Sequence, residues 1–194
     1  MKHSVARSLE KYDKAEFGFW LYLLTDIILF ASLFATYMIL RGNTASGESA
    51  AALFDPKYAL LETVLLLTSS FTCGIAGLAL RFKHKRMALG LLVTTLLLGL
   101  AFISLELNEF ATLINEGQSW RTSAFLSGFF TLVGTHGLHI IIGLIWGAVM
   151  LAYIIKTGVT SDSLRKFTLF SLFWHFLDLV WIFIFTIVYL GASL

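Results

Sequence analysis

Residues Ala124–Ile155, AFLSGFFTLVGTHGLHIIIGLIWGAVMLAYII, run without a single Lys, Arg, Asp or Glu. A helix that crosses the hydrocarbon layer needs about 20 mostly apolar residues. This run exceeds that length, so it reads as a helix that tilts or projects past the bilayer. The same pattern recurs near Phe17–Leu40, Tyr58–Leu80, Met87–Leu107 and Phe167–Leu190. The five runs predict an all-α, polytopic membrane protein: a bundle of five transmembrane helices forming one membrane domain over residues 1–194.

Composition agrees. Apolar residues make up 58% and charged residues 13%, with a mean hydropathy of +0.83, whereas a soluble domain carries about 25% charged residues. The net charge of +2 gives no support for a nucleic-acid partner. Cys73 is the chain's one cysteine, so no internal disulfide or cysteine cluster forms. The first run is too long, and lacks a small-residue cleavage site, to read as a cleaved signal peptide. No internal repeat is evident.

Local signals punctuate the spans. Asp55-Pro56 sets a capping carboxylate before a proline suited to a first helical position. Gly42, Asn43, Ser46 and Gly47 mark the first loop, and Arg81–Arg86 makes a short basic connection. Lys2, Arg7, Lys11 and Lys14 fall on the same side as that connection and as Lys156, Arg165 and Lys166; only Arg41, Lys57 and Arg121 fall on the other. Positive charge marks the inside, so the N-terminus is expected in the cytoplasm and the C-terminus outside, periplasmic. Beyond topology, the basic cluster needs no role except attraction to anionic lipid.

Polar groups within the apolar runs are costly, and they single themselves out. A central Asp costs about 2.5–3.5 kcal/mol on insertion scales, and such residues face the bundle or a wet cavity. Asp26 lies about 14 Å into its helix at 1.5 Å per residue, the most expensive depth. Glu62 and Glu106 lie nearer the outer ends, where snorkelling or water is expected to satisfy them. His175 and Asp178 are neighbours on one helix face, and Trp174, Asp178 and Trp181 continue the stripe. This pair reads either as a proton relay or headgroup-binding site, or as a polar contact fixing helix packing. His136 and His139 share a face by the same spacing, and nearby glycines, including Gly143 and Gly147, let another helix approach closely. A haem needs an axial imidazole in a pocket, and a copper centre needs several convergent histidines. Only His136, His139 and His175 lie in spans, so direct metal binding is not expected. Trp20, Trp120 and Tyr189 suit the interfacial belts. No nucleotide loop, nucleophile elbow or metal-hydrolase motif is present.

At these residues the chain resembles subunit III of the haem–copper respiratory oxidases. Phe173-Trp174-His175-Phe176-Leu177-Asp178-Leu179-Val180-Trp181 is similar to the family's Trp-His-Phe-x-Asp-x-x-Trp signature. Gly134-Thr135-His136-Gly137-Leu138-His139-Ile140-Ile141-Ile142-Gly143 is similar to its Gly-x-His-Gly-x-His-x-x-x-Gly segment. Glu106-Leu107-Asn108-Glu109-Phe110 resembles the acidic end of the preceding helix, and Leu61-Glu62 with Thr68-Ser69 the helix before that. Asp26 stands where much of the family carries an intramembrane glutamate reactive to carbodiimide; the acid is kept, one methylene shorter. Many members have seven helices, and this chain lacks the first two. The five-helix form looks most like the bacterial quinol oxidases, especially the bo type.

The resemblance implies a non-catalytic subunit of a proton-pumping terminal oxidase in the bacterial inner membrane. It implies no cofactor in this chain, with haems and copper in subunit I, ubiquinol as substrate of the complex, and subunits I and II, a small subunit IV and phospholipids as partners. Asp26, Glu62, Glu106, Glu109, His136, His139, His175, Asp178 and Trp181 become lipid or packing candidates rather than catalytic residues. The same subunit of a cytochrome c oxidase, or a nitric oxide reductase accessory protein, stays open. From another class, a stand-alone proton or ion transporter using Asp26 and Asp178 also stays open, although transporters often show repeats and interrupted helices.

Overall fold

The computed structural model describes residues 2–44 and 56–191, with side chains described from Lys14 onward. Asp55, Ser46 and Gly47 therefore lie outside the described residues. Five helices carry the chain: α1 (Lys2–Leu40), α2 (Pro56–Arg81), α3 (Lys85–Asn115), α4 (Ala124–Thr157) and α5 (Ser161–Ile184), the last continuing as a π-helical turn over Phe185–Leu190. All five are long and apolar enough to cross a membrane. No strand occurs among the described residues.

The junctions explain where each helix stops. Pro56 opens α2, as expected of a residue whose missing N–H costs nothing there. Between α2 and α3 the backbone reverses through Lys83 at φ 61°, and the His84 amide donates to Ala79 O at 2.9 Å. Ser123 caps α4 by accepting from the Leu126 amide at 3.1 Å. Gly158, at φ 74°, takes the left-handed conformation that ends it. Thr160 and Ser163 form a reciprocal capping box, which is why α5 starts at Ser161, well before the apolar run at Phe167. The third helix likewise outlasts its apolar run and reaches Asn115. Its extra turns are held by packing: Leu113 is buried, and the Phe110 ring lies 4.9 Å from Phe130 and 6.0 Å from Phe129.

The packing is a closed ring of four helices with a fifth beside it. Neighbours run α2–α3–α4–α5 and back to α2, while α1 leans on α4 and, to a lesser extent, α5. Because lipid is as apolar as leucine, helices in a bilayer associate through close packing and interhelical hydrogen bonds. Both are visible around Trp174. Its ring sits in a notch between Gly99 of α3 and Gly143 of α4, where added Cβ atoms would lie 2.8 and 2.9 Å from it. Its Nε1 donates to Ser69 Oγ at 3.1 Å, and that hydroxyl donates on to Thr95 O at 2.9 Å. Two turns later Trp181 repeats the arrangement. Its Nε1 donates to Thr63 Oγ1 at 3.0 Å, and Phe102 meets its face edge-on at 4.6 Å between centroids.

Candidate functional site

Three polar clusters occupy the bundle, and they divide the candidate residues among them. The first joins α1 to α4. Asp26 is 6% exposed, and its Oδ1 lies 3.7 Å from His139 Nε2. The opposite ring nitrogen, Nδ1, donates to the Thr135 carbonyl at 2.7 Å, which fixes the tautomer. With Nδ1–H engaged, Nε2 is the ring nitrogen left facing Asp26. Tyr22, one turn before Asp26, is within hydrogen-bonding reach of it, and Phe30 packs 5.2 Å from the His139 ring.

The second cluster gathers Glu62 of α2 with Glu106 and Glu109 of α3, near the ends remote from the Arg81–Lys85 turn. Glu62 and Glu106 are 0% and 1% exposed. Both Glu62 oxygens and Glu106 Oε2 lack a hydrogen-bond partner among the described residues. The expectation that both would snorkel or meet water at the membrane edge is therefore corrected. Glu106 points into the bundle because Gly137, lacking a Cβ, leaves room there for its carboxyl. Glu109 has a donor, Tyr189, whose hydroxyl lies 2.7 Å from its Oε2. Tyr189 itself is wholly buried, so it is not an interfacial belt residue; Trp20, midway along α1, and Trp120, in the turn between α3 and α4, are exposed. The π-turn explains the placement. Its i to i+5 closure, Gly191 N–H to Thr186 O at 3.0 Å, widens the helix, so each residue advances through a smaller angle. Tyr189 thereby swings onto the Trp181 face, 6.1 Å from that ring.

His136 stands between these two clusters without joining either. Both its nitrogens are buried without a partner among the described residues. It is flanked by Trp181 at 5.4 Å, Phe102 at 6.0 Å and Phe30 at 6.3 Å. The shared face expected of His136 and His139 holds to the extent that both rings meet Phe30.

The third cluster contains His175 and Asp178, joined through Ser70 of α2. Ser70 Oγ lies 2.6 Å from His175 Nδ1 and within hydrogen-bonding reach of Asp178. Asp178 is 8% exposed, and its Oδ1 has no partner among the described residues. His175 is exposed on the outer surface of the bundle. Sequence spacing placed His175 beside Asp178; the bridging serine was missed, as were Tyr22, Thr63 and the Tyr189–Glu109 bond. The available signal was a hydroxyl in an otherwise apolar helix, which in a bilayer either bonds its own backbone or reaches a neighbour.

As donors for a metal these clusters do not converge: among the described residues no group of three or more His, Cys, Asp or Glu side chains is placed to hold an ion. His136 and His139 both meet Phe30, and His175 lies on the outer surface beside Ser70.

Five long apolar helices, polar contacts buried between them and the two histidine motifs define a polytopic membrane protein, and the chain belongs to the family described as cytochrome c oxidase subunit III, which it matches over residues 8–193. It is 52% identical over 178 residues to the cytochrome bo(3) ubiquinol oxidase subunit 3 of Pseudomonas aeruginosa, covering 92% of this chain and 85% of that one. It is 47% identical over 173 residues to the quinol oxidase subunit 3 of Bacillus subtilis, covering 89% and 85%. Similarity extends to the cytochrome c oxidase subunit 3 of Bacillus sp. strain PS3, 47% identical over 174 residues and covering 89% and 84%.

Proposed function

We propose that the chain is the non-catalytic subunit III of a proton-pumping terminal quinol oxidase, which couples quinol oxidation to reduction of dioxygen to water. The observation that carries this reading is the likeness to ubiquinol oxidase subunits 3 at about half identity along nearly the whole chain. In this reading the chain lies in the bacterial inner membrane with its N-terminus in the cytoplasm. It binds beside subunit I, which holds the haems and copper, together with subunit II and a small subunit IV. Its buried polar residues serve packing, assembly and lipid contact. Asp26 with His139 attaches α1; Glu109 with Tyr189 secures the end of α5; His136 fills an aromatic niche.

A second reading has a specific observation behind it: the Bacillus sp. strain PS3 relative is named for cytochrome c. Affinity purification of the tagged chain in mild detergent separates the two. Recovery of a large haem-bearing subunit near one-to-one, in a complex that reduces oxygen with quinol, supports the proposal. Oxygen reduction with cytochrome c and none with quinol replaces the donor. Recovery of the chain alone, active in a proton-flux assay, overturns the subunit reading in favour of a transporter.

A further inference from the structure

Two hollows, of about 430 and 400 Å³, share Gly74, Leu78 and His175, and so form one furrow along the outer side of α2 and α5. One end opens among Glu16, Trp20 and Arg81. The other runs over Leu67, Phe71 and Ile75 to Ser70 and Asp178. From Arg81 back to Ser70 is roughly 16 Å along α2 at 1.5 Å per residue, about halfway through a hydrocarbon layer of roughly 30 Å. The floor at Gly74 has no side chain, and His175 Nε2 overhangs it, 3.9 Å from where a Cβ would stand.

A hydrogen-bonding group at that depth, on the outside of a bundle, needs a partner that water does not supply. A phospholipid headgroup stays at the interface, and an acyl chain offers nothing polar here. The relay behind Nε2 narrows the choice further. When Ser70 donates to Asp178, its oxygen accepts from Nδ1–H, and Nε2 presents a lone pair suited to an O–H donor. When Asp178 carries the proton the chain reverses, and Nε2–H suits a carbonyl. The two arrangements differ by one proton, taken up on Asp178 from outside the group, and together they match both forms of a ring that is a diol when reduced and a dione when oxidised. Asp178, whose Oδ1 is buried without a partner among the described residues, lines the furrow behind Ser70.

We propose that this furrow holds the ring of a membrane quinone or quinol, with His175 Nε2 as its hydrogen-bond partner and the apolar tail along Phe71, Ile75 and Leu78. The site binds and retains the ring; electron transfer is not assigned to it. The quinol-oxidase reading contributes the ligand's availability, and the furrow contributes the chemistry of recognition.

The test uses the purified complex in lipid nanodiscs, with a photoreactive ubiquinone analogue and peptide mapping of the label. Expected is labelling of this chain within residues 67–78 or 171–178, competed by unlabelled ubiquinone. Loss of one hydrogen bond in Ser70→Ala or His175→Phe weakens apparent affinity roughly ten-fold. Gly74→Leu, which has space for its Cβ, fills the furrow beneath His175 and abolishes the label. A complex that oxidises quinol yet leaves this chain unlabelled overturns the site and leaves the subunit reading intact. A companion helix or a retained phospholipid crosslinked at Ser70 or His175 also overturns it. A complex that uses cytochrome c refutes the donor alone, and labelling of the same preparation still decides the furrow.

Discussion

Asp26 of α1 and His139 of α4 face each other across 3.7 Å, and the imidazole is oriented from behind by its bond to the Thr135 carbonyl. This pair lies at the contact that attaches α1 to the four-helix ring. Replacing Asp26 by Leu removes the polar partner while keeping bulk, and weakens α1 docking by about 1–2 kcal/mol. The expected outcome is a lower melting temperature of the purified complex. Asp26→Asn retains a group able to bond Nε2 and is milder. Haem content stays unchanged in both, and an immediate, complete loss of pumping by Asp26→Asn in a normally assembled complex would refute a packing role.

The Trp174 notch predicts a steric response. Gly143→Ala places a Cβ 2.9 Å from the indole and Gly99→Ala places one 2.8 Å from it, so each costs about 1–3 kcal/mol in overpacking. Gly90→Ala, with nothing within 4 Å of its Cβ, is at worst neutral, because alanine favours a helix over glycine. Fluorescence-detected size exclusion after heating reads the difference.

Trp181 contributes both volume and a hydrogen bond. Trp181→Ala opens a cavity beside Phe102 and costs about 3–5 kcal/mol. Trp181→Phe keeps most of the ring but leaves Thr63 without its indole donor, at about 1 kcal/mol. A ranking in which the two substitutions are equally harmful would point to the Thr63 bond, rather than the packing, as the dominant contribution.

The Tyr189–Glu109 bond is best read by a double-mutant cycle. Tyr189→Phe leaves a half-buried carboxyl without its donor and costs about 1 kcal/mol. Glu109→Gln changes the acceptor, and the double variant is expected to lose less than the sum of the singles, since the two residues share one contact. Unfolding followed by tryptophan fluorescence, with Trp181 close to the site, provides the measurement; strict additivity would show that the bond carries no coupling.

Much of the architecture was readable because bilayer hydropathy constrains whole helices. All five spans, the Arg81–Lys85 turn and the start of α2 at Pro56 follow from composition and backbone chemistry. The end of α3 and the inward placing of Tyr189 did not, for opposite reasons. Glu106, Asn108 and Glu109 look like a polar boundary, yet Phe110 and Leu113 carry the helix onward by packing that hydropathy does not register. Tyr189, an aromatic near a helix end, looks like a belt residue, and the π-turn that brings it inside has no signature in local composition. The site was legible by residue type and seldom by partner. Helical spacing links His175 to Asp178, but neither Ser70 nor the meeting of Asp26 with His139 can be read from spacing, because each depends on which helices become neighbours.

The lean of α1 on α4 and α5 has a consequence for biogenesis. Synthesis proceeds from the N-terminus, so α1 enters the bilayer before its docking partners α4 and α5 are made. During that interval Asp26 lacks His139 and rests against lipid or the insertion machinery. A helix made early therefore waits on one made late, and the arrival of α4 ends that interval.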